Sequence, residues 1–212
     1  MSSERPPLPP EDFDPLLKTP ATAFGFGLSP AARASLSRYL SELDLWRRRT
    51  NLTGKLSQQD LADHALESAI GETLVPHGAR VVDIGSGAGF PGVPLAIVRP
   101  DLLVCALEPR KKRVEFLRHI ARAVPVSNLE VLEGRPSDLP PRRFDVAVSR
   151  AVGDLADVIG KADFLKPAGL LLAWTTDPEG LARALSSGFS QGPMIAVPGA
   201  RRKVIAAFRA RG

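Results

Sequence analysis

The chain has 212 residues, 44% of them hydrophobic and 24% charged, an ordinary globular composition that allows one sizeable core and excludes disordered and fibrous classes. Its single cysteine, Cys105, and its separated histidines, His64, His77 and His119, leave neither an intrachain disulfide nor an expected metal site. No apolar run approaches the roughly eighteen residues of a membrane span and the N-terminus lacks a signal-peptide core, so a cytoplasmic protein with no membrane association is expected; a monomer is expected as well.

Residues 1–28 carry Pro6, Pro7, Pro9, Pro10, Pro15 and Pro20, which withhold helix and sheet hydrogen bonds; a mobile tail is expected. An N-terminal helical cap is expected over 29–75. Ser29-Pro30 reads as an N-cap followed by proline at the first helical position, and Ala32, Leu36, Tyr39, Leu40, Leu43 and Trp46 recur at helical spacing. A second helix starts at Ser57, where Asp60 completes a capping box. From 76 to 212 apolar runs alternate with amphipathic stretches: strand 79–84, helix from 91, strand 102–108, helix 111–124, strands 128–132 and 144–149, helix 154–164, strand 168–175 and helix 178–187. A last pair of runs, 194–197 and 203–208, is joined by Pro198-Gly199-Ala200. The fold class is α/β: a Rossmann-like sheet with helices on both faces, a helical cap, a C-terminal hairpin, and the cap and sheet forming one unit.

The most informative stretch is Val81-Val82-Asp83-Ile84-Gly85-Ser86-Gly87-Ala88-Gly89-Phe90-Pro91-Gly92. It reads as a buried strand that ends in a carboxylate and runs into a glycine turn, where the backbone can approach a ligand closely. Gly87-x-Gly89-x-x-Gly92 also fits a dinucleotide fingerprint. Asp83 argues against that ligand, because a carboxylate beside the helix N-terminus repels a pyrophosphate. S-adenosyl-L-methionine has no phosphate and carries a sulfonium and an ammonium, both of which gain from a nearby acid. Glu108 closes the next apolar run, where an acid accepts hydrogen bonds from ribose hydroxyls. Asp83, Gly85, Gly87, Gly89, Phe90 and Glu108 are therefore the expected cofactor contacts. Gly134-Arg135 and Ser149-Arg150 should gather at the same carboxyl edge of the sheet.

The net charge is +5 and the isoelectric point about 9.8. The cations come in runs at Arg47-Arg48-Arg49, Arg110-Lys111-Lys112-Arg113, Arg142-Arg143 and Arg201-Arg202-Lys203. One such run is as readily a solvated helix end as a binding surface; four together favour nucleic acid. The second run opens a helix, where cations oppose the macrodipole, a local cost that phosphate binding would offset.

Further motifs resemble those of the bacterial small-subunit ribosomal RNA methyltransferase G family, also called glucose-inhibited division protein B. They are Asn51-Leu52-Thr53, His64-x-x-Glu67-Ser68, Gly85 through Leu95 with Ile97-Val98-Arg99-Pro100, Lys112-Arg113-Val114, Phe116-Leu117 and Ser149-Arg150-Ala151. The resemblance covers roughly residues 36–155, and its most specific part is Gly89-Phe90-Pro91-Gly92-Val93-Pro94-Leu95. It implies a class I methyltransferase that uses S-adenosyl-L-methionine to methylate N7 of a guanine in 16S rRNA, on naked RNA or on the small ribosomal subunit. It also implies that Gly85 and Phe90 line the cofactor site, that Pro136 and Ser137 flank the adenine, and that Arg150 touches the cofactor. His64, Arg135, Arg201 and Arg202 are the substrate-side candidates. The family pattern differs here in three places: Arg135 is followed by Pro136-Ser137, the fifth strand ends in Trp174-Thr175-Thr176 where Lys-Gly is usual, and Arg201-Arg202 replaces Arg-His. A methyltransferase of the same fold with another substrate, or a non-catalytic RNA-binding relative, are the alternatives.

Bland readings stand beside these. Arg150 would serve as a salt-bridge partner of Asp145 or Asp154, His64 as a packing histidine and Trp174 as a core residue. No general base is assigned, since guanine N7 presents a lone pair without deprotonation.

Overall fold

Alternation along the strands decides which layer each residue packs into. The structure is a computed structural model that describes residues 10–23, 27–150, 155–160, 163–200 and 202–211. Strands β1 (Arg80–Ile84), β2 (Leu103–Glu108), β3 (Leu129–Glu133), β4 (Phe144–Arg150), β5 (Leu165–Thr175), β6 (Phe189–Ala196) and β7 (Val204–Ala210) form one sheet in the order β3-β2-β1-β4-β5-β7-β6. β1 to β5 run parallel, and β7 lies antiparallel between β5 and β6. Val81, Val104, Val146, Leu172 and Trp174 face one core, while their neighbours Val82, Cys105, Ala147, Leu171 and Ala173 face the other. Both faces are covered, as a parallel sheet requires.

Helices α1 (Pro10–Ala23), α2 (Pro30–Trp46), α3 (Gln58–Ile70), α4 (Gly92–Val98) and α5 (Lys111–Ala123) cover the first face, with Leu36, Tyr39, Leu61, Leu66, Phe116 and Leu117 in one continuous core. Helices α6 (Leu155–Gly160) and α7 (Pro178–Leu185) cover the second through Leu155, Ile159 and Leu185. The start signals work as expected. Ser29 Oγ accepts the Ala32 amide at 3.1 Å, and Ser57 and Asp60 cap each other reciprocally. Pro91 sits at the N-cap of α4, with Gly92 as its first residue. The strand order reverses between β1 and β4, so their carboxyl ends splay apart and leave a crevice there.

The expected tail is corrected by the structure. Residues 10–23 form α1 despite Pro15 and Pro20 within it, and Phe13 and Leu17, four apart on one face, are fully buried among α2 and α3 residues. Arg33 Nε also donates to Asp14. Two interior prolines cost about 6 kcal/mol; burying two large apolar side chains recovers about 3–6 kcal/mol together, so packing offsets most of the local penalty. Residues 1–9 and 24–26 lie outside the described residues.

Smaller differences follow the same logic. β5 begins at Leu165, before the expected 168, and β6 begins at Phe189, before the expected 194. The first half of β6 is an exposed edge, Ser190-Gln191-Gly192-Pro193, with no alternation to read, and its register shifts between Gln191 and Met194, where Pro193 donates nothing. α6 ends at Gly160, short of the expected 164, and residues 161–162 are outside the described set.

Phe13→Ala and Leu17→Ala are each expected to lower stability by about 2–5 kcal/mol in urea unfolding, the range for truncating large core side chains. A mobile tail would give no change.

Candidate active site

The glycine turn is shaped by a carboxylate beneath it. Asp83, the penultimate residue of β1, is fully buried, and its Oδ2 accepts from Ser86 Oγ and, at 3.0 Å, from the Gly92 amide. The turn's first amides are taken by β2, with Gly85 N and Ser86 N donating to the Leu107 carbonyl at 2.9 and 3.0 Å. Gly87 and Gly89 sit at φ of 58° and 102°, which L side chains rarely adopt. At Gly92 the limit is steric: a Cβ would lie 2.7 Å from Asp83 Oδ2. Asp83 Oδ1 has no hydrogen-bond partner among the described residues. Burial pushes the Asp83 carboxyl up to about 7, against the pull of the Ser86 and Gly92 hydrogen bonds, and the nearby Glu108 charge raises it further.

Above the turn lies a cleft of about 560 Å³, within the range that holds a nucleoside-sized ligand. Gly85, Gly87, Phe90, Glu108, Arg150 and His64, all singled out from the sequence, line it. Glu108 closes β2, and its oxygens accept from the Gly87 amide at 2.9 Å and the Arg110 amide at 3.0 Å. A carboxylate oxygen accepts twice, so each keeps a lone pair for a ligand hydroxyl.

The opposite wall comes from the cap. His64 stands edge-on to Phe90 with centroids 5.8 Å apart, and the Arg150 guanidinium lies 5.7 Å from the same ring. Asp154 lies outside the described residues, and Arg150 does not pair with Asp145. Its NH2 bonds Glu67 Oε2 at 3.0 Å and its NH1 donates to the His64 carbonyl at 3.3 Å, whereas Asp145 bonds Lys166. Burial draws the Arg150 guanidinium below its usual value and the Glu67 charge opposes this. Burial, then Arg150, then Lys203, push the His64 imidazole down to about 4. His64 is therefore neutral at neutral pH and too weakly basic to hold a proton there.

Several expected contacts lie elsewhere. Asp83 is under the turn, not on the cleft wall, because its carboxylate is committed to Ser86 and Gly92; Gly89 is spent on close packing against Val93 and Tyr39. Pro136 and Ser137 occupy a 3-10 turn after β3, one strand beyond Glu108, and do not line the cleft. Arg135 is exposed, its amide tied to Asp138, and Arg202 is exposed beside β7; Arg201 is outside the described residues. Trp174 is a core residue, as its bland reading has it, and its Nε1 donates to the Glu67 carbonyl at 2.8 Å.

The sequence reading left Leu52, Thr53, Arg113, Glu67 and Lys203 without roles in the cleft, Arg113 and Lys203 standing only within basic runs. The first three line the cleft, and Glu67 holds both Arg150 and Lys203. The Asn51-Leu52-Thr53 and His64-x-x-Glu67-Ser68 motifs carried the signal for most of them. No group of side chains suited to a metal ion occurs among the described residues, and no described helix is long and apolar enough to cross a membrane.

Comparison with known proteins places these features in a family context. A family model described as rRNA small subunit methyltransferase G matches residues 32–179. A ribosomal RNA small subunit methyltransferase G from Pectobacterium carotovorum is 36% identical over 155 residues, covering 71% of this chain and 75% of that protein. One from Geotalea uraniireducens is 36% identical over 163 residues, covering 74% of each. Among solved structures, a SAM-dependent methyltransferase from Aquifex aeolicus superimposes with a TM-score of 0.53 at 18% identity, over 63% of this chain and 82% of that one. A Methanococcus jannaschii fibrillarin pre-rRNA processing protein gives 0.54 at 16%, over 72% and 74%. At those identities the structures speak for the fold.

Asp83 yields a pH signature of its own. Its folded carboxyl titrates near 7 and its unfolded one near 3.8, so the folded state binds the extra proton between those values. Its contribution is fully present below about pH 4 and is lost as pH rises through 7, by roughly 4 kcal/mol at 1.36 kcal/mol per unit. Relative to wild type, Asp83→Asn should therefore gain stability steadily from pH 4 to 7 in denaturant titrations; parallel curves would show that Asp83 does not titrate there.

Proposed function

The chain belongs to the rRNA small subunit methyltransferase G family, and from that premise we propose that its cleft positions S-adenosyl-L-methionine against N7 of a guanine in 16S rRNA. It is an S-adenosylmethionine-dependent enzyme that methylates RNA of the small ribosomal subunit. The observation that carries the site assignment is the meeting of a glycine-rich turn with Glu108, whose oxygens keep free lone pairs, in a cleft of about 560 Å³. The donor set suits the cofactor: acceptors for ribose hydroxyls at Glu108, and a buried carboxyl at Asp83 below a cationic ligand.

Bound there, S-adenosyl-L-methionine supplies a methyl group made electrophilic by its sulfonium. Gly85 and Gly87 let the backbone touch it, Glu108 accepts from the ribose, and Phe90 with Arg150 forms the wall. Pro136 and Ser137 approach the adenine if the turn after β3 closes over the cleft. Guanine N7 needs no base, and His64, held near 4, is unsuited to act as one. What the chain contributes is alignment of the reacting atoms and exclusion of water, effects worth up to about 7–11 kcal/mol in intramolecular reactions.

On the RNA side, Arg110 lies exposed on the cleft with Lys111 exposed next to it in sequence, and Arg135 and Arg202 add charge around the carboxyl edge. A monomer is part of this reading, since Gly85, Phe90, Glu108, His64 and Arg150 of the cleft all come from one chain. A cytoplasmic location follows from where the small subunit and its 16S rRNA reside.

Mapping N7-methylguanosine in 16S rRNA from cells with and without this protein tests the acceptor atom; the modification should vanish at one guanine when the protein is absent. Loss of a methyl group at another position, or of none, would refute N7. Glu108→Ala should weaken S-adenosylhomocysteine by about 1.5–3 kcal/mol, the range for hydrogen bonds to a charged group, with NADH failing to bind the wild type. Calorimetry with unchanged affinity would remove Glu108 from the ribose.

Single-turnover methylation at saturating cofactor should be nearly flat between about pH 6 and 8.5. Asp83 titrates in that range in the free protein, but a cationic ligand above it favours its charged form, so its effect belongs to cofactor affinity. A bell-shaped profile abolished by His64→Ala would reveal a true acid–base residue.

A further inference from the structure

His64, Glu67 and Ser68 lie one turn apart on α3 and share a face. Ser68 Oγ donates to the His64 carbonyl at 2.6 Å, and that carbonyl also accepts from Arg150. Trp174 at the end of β5 donates to the Glu67 carbonyl. Glu67 itself is buried, and its carboxylate serves two cations: Arg150 from the end of β4 at 3.0 Å, and Lys203 from the approach to β7, whose Nζ bonds both oxygens at 2.8 and 2.9 Å. One turn of α3 thus receives the ends of β4, β5 and β7.

The two cations are not equivalent. Arg150 is 12% exposed, held by a backbone carbonyl and set against Phe90, whereas Lys203 is 25% exposed and follows the exposed Arg202. A lysine ammonium is a compact charge on a flexible stem that exchanges anionic partners readily, while the guanidinium is fixed by its fork geometry. Two cations on one carboxylate leave an uncompensated positive charge, and Lys203 is the half that a phosphate can reach. When a phosphate takes Lys203, the Glu67 charge falls to Arg150 alone and holds it more firmly in the cleft wall.

We propose that Glu67 is a positioning residue for methyl transfer, fixing Arg150 in the cofactor cleft, and that Lys203, by exchanging Glu67 for a phosphate of the RNA backbone, couples RNA binding to cofactor binding. The inference rests on the methyltransferase reading above. By linkage, RNA then tightens cofactor by the same factor by which cofactor tightens RNA.

Equilibrium dialysis of S-adenosylhomocysteine against the full chain, with and without unmethylated small subunits, reads the coupling. The subunits should tighten the wild-type dissociation constant about five-fold or more; Lys203→Met should abolish that change, and Lys203→Arg, whose fork holds Glu67 more firmly, should reduce it. Glu67→Gln, which keeps the shape but not the charge, should also lose the coupling and slow single-turnover methylation about ten-fold at saturating cofactor and RNA, a fall in rate and not in RNA affinity alone. Should Glu67→Gln fail to fold, the Lys203 pair decides, since that side chain is partly exposed. A wild type that binds the ligand and methylates subunits while Lys203→Met keeps the full RNA-dependent tightening would overturn the proposal. A wild type that does neither would overturn the methyltransferase reading and this inference with it.

Discussion

The site depends on one buried carboxylate. Asp83 receives no solvent and no cation, and it is tolerated because Ser86 and the Gly92 amide donate to it. Those bonds fold the turn back onto the end of β1 and start α4. With the turn held, Gly87 points its amide at Glu108, and Glu108 in turn fixes the start of α5 through the Arg110 amide. Two strand-to-helix connections are therefore organised by two acids, and the cleft is the space left above them. Asp83 stays costly without a ligand, since Oδ1 is unpartnered and its carboxyl titrates near 7. Strain of that kind is expected where a cationic ligand completes the arrangement.

The cap is as much a part of the cleft as the sheet. Tyr39 of α2 donates to the Ala88 carbonyl at 2.8 Å and packs edge-on against Phe90, so the far side of the turn is pinned by a helix that precedes it by some fifty residues. Burial, then the Asp83 charge, holds the Tyr39 hydroxyl well above its usual value, which keeps it a donor. α3 supplies His64 and the Glu67 anchor, and the loop after α2 supplies Leu52 and Thr53. The sheet alone would present an open edge; the cap gives it a second wall and excludes water from one side.

Much of this was legible in the sequence. Apolar alternation and capping signals located most of the strands and helices, and an acid followed by glycines marked the cofactor end. Glu108 could be assigned because a parallel sheet brings the ends of consecutive strands together. α1 was not legible, since its prolines argue locally for an open chain and only the tertiary burial of Phe13 and Leu17 explains its helix. The partner of Arg150 was not legible either. Asp145 and Asp154 are near in sequence, but Glu67 lies on a helix from the cap, and nothing in spacing joins positions so far apart. Asp83 was found for the right reason and given the wrong geometry, because a sequence shows that an acid ends a strand but not which hydrogen bonds it accepts there.

The same distinction reorganises the basic runs. Read as sequence, four clusters together favour a polyanion, yet the structure spends many of these charges internally. Arg47 and Arg48 serve Asp44, Arg143 faces Glu130, and Lys203 serves Glu67. Arg110, Lys111 and Lys112 make no ion pair among the described residues and project from the N-terminus of α5 beside the cleft. Their position at the positive end of a helix dipole costs stability, so it is the run whose presence protein folding explains least. A phosphate backbone laid there would neutralise both the side chains and the dipole, and would bring RNA to the same corner at which Glu108 and the glycine turn line the cleft.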